Sequence, residues 1–204
     1  MKALVVRGGW DGHKPVEATE MFVPWLERSG FAVTKSDTLD CYADPEVMAG
    51  TDLVVQCWTQ GTIGAEQLGG LKAAVAAGTG LAGWHGGIID AFRAETDYQF
   101  MTGGQFVHHP AEWLTYTVIP SAGHEITAGL RPFEVTSERY TVHVDPAVDV
   151  LAHTDIDGVA MPVTWTRTWG SGRVFVTTVG HTPGDLASAP MTAMVTRGMT
   201  WAAR

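Results

Sequence analysis

Short apolar runs alternate with stretches of helical spacing through the first half of the chain. Ala3 to Val6 reads as a central strand and runs into a turn at Gly8-Gly9. From Pro15 to Arg28 the apolar residues Met21, Phe22, Trp25 and Leu26 share one helical face, and Gly30 supplies the stop signal. Phe31 to Val33 reads as a second strand. Asp52 to Cys57 reads as a third, with the continuous apolar character of a parallel strand covered on both faces. After the loop WTQGTIG, Glu66 to Ala77 reads as a helix closed by Gly78, and Gly80 to Gly83 as a fourth strand. This alternation predicts an α/β fold, a doubly wound and mostly parallel sheet with helices on both faces.

The period changes in the second half. Trp113 to Ile119, Glu134 to Val142 and Val148 to Ala152 read as strands. Val163 to Arg167 and Arg173 to Val179 are joined by the turn GSGR at Gly170 to Arg173, which predicts a C-terminal antiparallel hairpin extension. A last helix, about Met191 to Ala203, is expected to pack back on the sheet. No repeat, low-complexity segment or Pro/Gly/Ser linker divides the 204 residues, so one domain over 1–204 is expected.

Composition narrows the partners. A net charge of -9 with no Lys/Arg cluster argues against a nucleic-acid backbone as ligand. Two cysteines, Cys41 and Cys57, suit a reduced, cytoplasmic protein better than a disulfide framework, and they form no zinc motif. The apolar run near Met1 is too short for a signal peptide, and nothing later approaches a membrane span.

The chemistry centres on GWHGG, Gly83 to Gly87. A G-x-nucleophile-x-G turn between strand and helix lifts its central side chain above the end of a sheet. Here that side chain is His85, suited to binding a metal or moving a proton and poorly suited to acyl chemistry. His13 follows the first strand and His181 follows the run Arg173 to Val179, so three imidazoles leave strand ends where α/β folds bind ligands. Each alone reads equally well as a turn cap. Together they suit a divalent metal, zinc first, with manganese, nickel or iron as alternatives.

A second cluster, MTGGQFVHHP at Met101 to Pro110, offers His108 and His109. In an extended segment neighbouring side chains oppose each other, so one of the pair faces the site, and His109 is the expected one. Trp10, Trp58 and Trp84 lie at or near strand ends, where they could stack on a sugar face or belong to the core. Asp90 and Asp97 could bond sugar hydroxyls or stand as solvated loop carboxylates, while Trp165, Trp169 and Trp201 read as packing residues.

In order along the chain, GGW-x-x-H (Gly8 to His13), GWHGG, Phe92 with Tyr98, GGQF-x-x-HP (Gly103 to Pro110), GHEITAGL (Gly123 to Leu130), SERY (Ser137 to Tyr140), PVTW (Pro162 to Trp165) and GSGRVFVTTVGH (Gly170 to His181) resemble the ThuA-like trehalose-utilisation family. The resemblance implies a flavodoxin-like fold of the class I glutamine amidotransferase type. There a Cys occupies the elbow, so glutaminase chemistry lacks its nucleophile here, and Cys57, on another strand, does not replace it. The family setting implies sugar catabolism, a small-molecule sugar substrate and a functional link to a sugar oxidoreductase that makes 3-keto sugars. Relatives often carry an acidic pair before the Tyr of the SERY segment. This chain has Ser137-Glu138, leaving Glu138 as the only carboxylate there.

These readings converge on a metal-assisted lyase or hydrolase of a disaccharide or its 3-keto derivative. His13, His85 and His181 are its expected metal ligands and His109 or Glu138 its base. A non-catalytic carbohydrate-binding or regulatory protein on the same scaffold is the alternative. Self-association into a homo-oligomer is open from sequence.

Overall fold

Ala3 and Val5 face one side of the first strand, Leu4 and Val6 the other, and all four are buried. That period of two, repeated on the neighbouring strands, divides the apolar residues into two cores, one on each face of a central sheet. Burying one such aliphatic side chain contributes about 1.5–3 kcal/mol. The computed structural model describes residues 1–204.

Strand β1 (Lys2–Gly9) leads through a 3-10 turn at Asp11–His13 into helices α1 (Pro15–Glu20) and α2 (Val23–Arg28). The sequence predicts one helix here. Pro24, which lacks an N–H and occupies the first turn of α2, ends the first helix and starts a second. Strand β2 (Ala32–Ser36) is followed by a 3-10 turn at Asp40–Ala43 and by helix α3 (Pro45–Ala49), neither of which shows a helical apolar stripe in the sequence. The Asp44 carboxylate accepts from the Glu46 and Val47 N–H groups and caps α3. Strand β3 (Leu53–Thr59), helix α4 (Ala65–Ala76), strand β4 (Gly80–Trp84) and helices α5 (Gly86–Ile89) and α6 (Thr96–Thr102) complete the α/β part.

Strands β5 (Gly104–His108), β6 (Leu114–Pro120), β7 (Phe133–Ser137), β8 (Thr141–Val144), β9 (Asp149–Ile156), β10 (Val159–Trp169) and β11 (Gly172–Thr177) follow, then helices α7 (Pro183–Leu186) and α8 (Ala189–Ala202). The main sheet runs β2-β1-β3-β4-β11-β10-β9-β6-β7, and β5 pairs with β8 in a separate two-stranded sheet. The strands from β2 to β11 are parallel and those from β10 to β7 add antiparallel. The predicted hairpin is therefore no appendage, because β11 lies beside β4 in the middle of the sheet. The predicted strand Glu134 to Val142 also divides: β7 stops at Ser137, and β8 joins the other sheet. No helix is long and apolar enough to cross a membrane.

Candidate metal centre

From β1 the chain moves outward to β2, and from β3 it moves the other way to β4, so order reverses between β1 and β3. Ligands bind at the carboxyl ends of strands flanking such a reversal. His13, just beyond β1, is held there by the Thr59 hydroxyl at the end of β3, 2.8 Å from its Nδ1. This bond leaves Nε2 as the ring's free nitrogen. A Cβ on Gly86 would stand 2.5 Å from His13 Cε1, so glycine at that position lets the imidazole close on the elbow.

His85 takes φ 50°, ψ -145°, a backbone conformation that costs a non-glycine residue on the order of 1–3 kcal/mol. Its surroundings hold it in place. The His85 N–H donates to the Thr177 carbonyl at 2.7 Å. Behind it, Gln56 Nε2 donates to the Gly87 carbonyl at 3.1 Å and Tyr98 Oη to the Ile88 carbonyl at 2.9 Å, tying α5 to the sheet. Tyr42 Oη in turn donates to Gln56 Oε1 at 2.9 Å.

The tautomer of His85 follows from its partners. Nδ1 lies 2.7 Å from the Thr178 carbonyl, which only accepts, so Nδ1 carries the proton. Nε2 is then a lone-pair nitrogen, yet it stands 3.1 Å from Glu138 Oε2. His181 Nδ1 is also 3.1 Å from Oε2, at ion-pair distance but off the hydrogen-bond direction, and is left buried without a hydrogen-bond partner. Lone pairs aimed at one another repel unless a proton or a cation lies between them.

His13, His85, Glu138 and His181 each present one ligand atom, and all four atoms lie within 4.8 Å of one another. Burial, with the charges of His85 and His181, pushes His13 down to about 3, and burial likewise lowers His85. Burial drives the Glu138 carboxyl up, but the adjoining His181 and His85 rings outweigh it and hold the group well below the usual carboxylate range. Three imidazole nitrogens and one carboxylate oxygen form an N₃O donor set that fits zinc and its neighbours. The orphaned Nδ1 of His181 is the atom such an ion would satisfy.

The structure brings His13, His85 and His181, the ligands expected from sequence, within reach of one another, and Glu138, expected at the site as a base, lies among them. Glu138, in the break between β7 and β8, is thus a candidate ligand as well. His109 reaches the cluster through Nε2, 3.7 Å from Glu138 Oε1, whereas His108 is exposed on β5. Trp10 is half exposed with its ring 4.8 Å from that of His13. Trp58 packs over Gly8 and the core on the face opposite Thr59. Trp84, only 1% exposed and packed on Phe22, is a core residue with no surface for a ligand. Asp90 is buried and paired with Arg93 rather than solvated, and the exposed Asp97 pairs with Lys72. Two residues were missed as site members: Trp113, half exposed with its ring 5.3 Å from that of His181, and Tyr140, stacked on His85. Tyr140 was visible in the SERY segment, but Trp113 read as an ordinary strand start.

The sequence model of one protein family, ThuA, described as trehalose utilisation, matches residues 2–202. Among solved structures, a ThuA-like protein from Parabacteroides merdae superposes with a TM-score of 0.82 at 17% identity, covering 99% of this chain and 89% of that one. A second from Bacteroides uniformis gives 0.79 at 15%, covering 98% and 89%. A β-galactosidase from Rahnella sp. R3 gives 0.66 at 15%, with 97% of this chain matching 31% of that one. At these identities the likeness shows fold alone. No curated protein sequence matches the chain.

Proposed function

The chain belongs to the ThuA family of trehalose utilisation, and on that premise we propose that it is a divalent-metal enzyme cleaving the glycosidic bond of a disaccharide or its 3-keto derivative. The observation that carries the reading is the convergence of His85 Nε2 and His181 Nδ1 on Glu138 Oε2, both at 3.1 Å. The family description, together with the half-exposed rings of Trp10 and Trp113 beside His13 and His181, supports a sugar as substrate.

His13, His85, His181 and Glu138 would hold the cation, zinc first by its donor set. A divalent cation supplies Lewis acidity, which acidifies the C–H beside a substrate carbonyl. His109 serves as the base. Its Nδ1 donates to the Pro110 carbonyl at 2.6 Å, which leaves Nε2 unprotonated, and the ring is 30% exposed at the edge of the cluster. The C–H proton passes to His109 Nε2, its electron pair forms a C=C bond, and the glycosidic oxygen departs with the bonding pair and takes up a proton, from water or the His109 imidazolium, to leave as the alcohol. Glu138, whose Oε2 lies 3.1 Å from both His85 Nε2 and His181 Nδ1, would be a ligand rather than the base. A sugar oxidoreductase would supply such a keto substrate.

The test is elemental analysis of the purified protein alongside cleavage of a 3-keto-disaccharide, with products followed by mass. About one ion per chain and an unsaturated sugar lighter by one water than the hydrolysis product are expected. A hydrated product would assign a hydrolase instead. Metal-free protein with full activity would overturn the metal assignment, and sugar binding without turnover would make it a binding protein.

A further inference from the structure

Two of the four cluster residues share a support outside the cluster. Ser137, the last residue of β7 and completely buried, precedes Glu138, and Thr182 follows His181. Both are bound by one carboxylate. Asp185 Oδ1 accepts from the Thr182 hydroxyl at 2.7 Å, and Oδ2 accepts from the Thr182 N–H at 3.2 Å. The same Oδ2 accepts from the Ser137 hydroxyl.

We infer that Asp185 is a positioning residue that fixes Glu138 against His181 by clipping their neighbours together, an inference that rests on the cluster being the working site. Capping explains only half of what Asp185 does. As the third residue of the four-residue helix α7 it needs only the Thr182 contacts to close that helix. The bond to Ser137 spans 48 residues and contributes nothing to α7. It anchors the point where β7 ends and the chain turns its next side chain toward the histidines. A second bond holds the same turn, since Tyr116 Oη donates to the Glu138 carbonyl at 3.3 Å. With the peptide around Glu138 tied on two sides, the carboxylate has little freedom to leave His181. Groups behind a ligand that fix its orientation are worth about 10- to 100-fold in metal affinity.

The experiment compares Ser137→Ala, Asp185→Asn and the double variant with wild type in three measurements: Co(II) affinity by competition with a chromophoric chelator, thermal unfolding in excess chelator, and crystal structures. Asp185→Asn and Ser137→Ala are expected to weaken Co(II) binding by about 10- to 100-fold. The double variant should be no worse than the poorer single one, because both cut the same bond. The Glu138–His181 separation should widen beyond 3.1 Å. Wild-type affinity and an unchanged separation, with only the melting temperature lowered, would make Asp185 a structural cap and overturn the inference. If wild type binds no Co(II), the metal reading fails by itself, and the separation in the Asp185→Asn crystal structure decides the positioning role.

Discussion

Tyr140 lies flat against His85, ring centroids 4.0 Å apart at 27°, and the same ring meets Phe106 at 4.5 Å. The stack sets the plane in which His85 presents Nε2, while Thr178 sets which nitrogen is bare. Tyr140→Phe keeps the ring and is expected to retain bound metal. Tyr140→Ala removes a buried ring and should destabilise by about 3 kcal/mol, as large-to-small aromatic deletions do. Urea unfolding of the two variants reads this directly. An alanine variant as stable as wild type would remove the stack from the account.

Ligand and base are separable by what each loss removes. His85→Ala and His181→Ala should lose the ion and the activity together. His109→Ala should keep the ion and lose turnover by about 10²-fold or more, the usual contribution of a general base. Elemental analysis and a cleavage assay on the same preparations suffice. Loss of metal from His109→Ala, or full activity in it, contradicts the assignment.

A cysteine placed at the elbow is not expected to create glutaminase chemistry. In His85→Cys the thiol would stand near Glu138, whose carboxylate lies 3.1 Å from the native ring, and a neighbouring negative charge raises a thiol's pKa. No glutamate release from glutamine above the wild-type background is expected. Release above it would show that the pocket carries an amide-matched oxyanion site.

Acid should weaken the metal-free protein through His13. Its folded value is pushed down to about 3, well below the ordinary histidine value of 6.5 that an unfolded chain shows. Between those limits the unfolded chain binds the extra proton. The stabilisation is therefore complete above about pH 6.5 and declines as pH falls toward 3. Denaturant unfolding in chelator across this window should slope downward for wild type and more gently for His13→Asn. Parallel slopes would mean that His13 is not buried neutral.

Legibility from sequence depended on whether a residue answered to a local rule. His13, His85 and His181 each follow an apolar run that forms a parallel strand, and strand ends converge, so their meeting followed from topology. The Gly83 to Gly87 turn was legible because its glycines are steric necessities. Pro24 carried a readable break that the apolar stripe around it masked. The interruption at residues 138–140 had no such mark. Thr136 and Thr141 both favour strand, and the bonds made at the break come from distant segments, Asp185 to Ser137 and Tyr116 to the Glu138 carbonyl. Glu138 was accordingly placed at the site without its partners. Trp113 was hidden for a related reason, since exposure at a strand start is set by the ring it touches, His181, nearly seventy positions on.

The cluster draws its four side chains from positions 13, 85, 138 and 181, each on a different part of one continuous sheet. Such a site has no local precursor. Its contacts are all long-range, and they form only after the non-local strand pairings that make sheet proteins slow to fold. An ion that binds the finished site and not the unfolded chain pulls the folding equilibrium toward the native state by mass action. Metal occupancy would then report on the integrity of the whole chain, and a nick in any loop between β1 and α7 that let the sheet open would be felt as lost affinity.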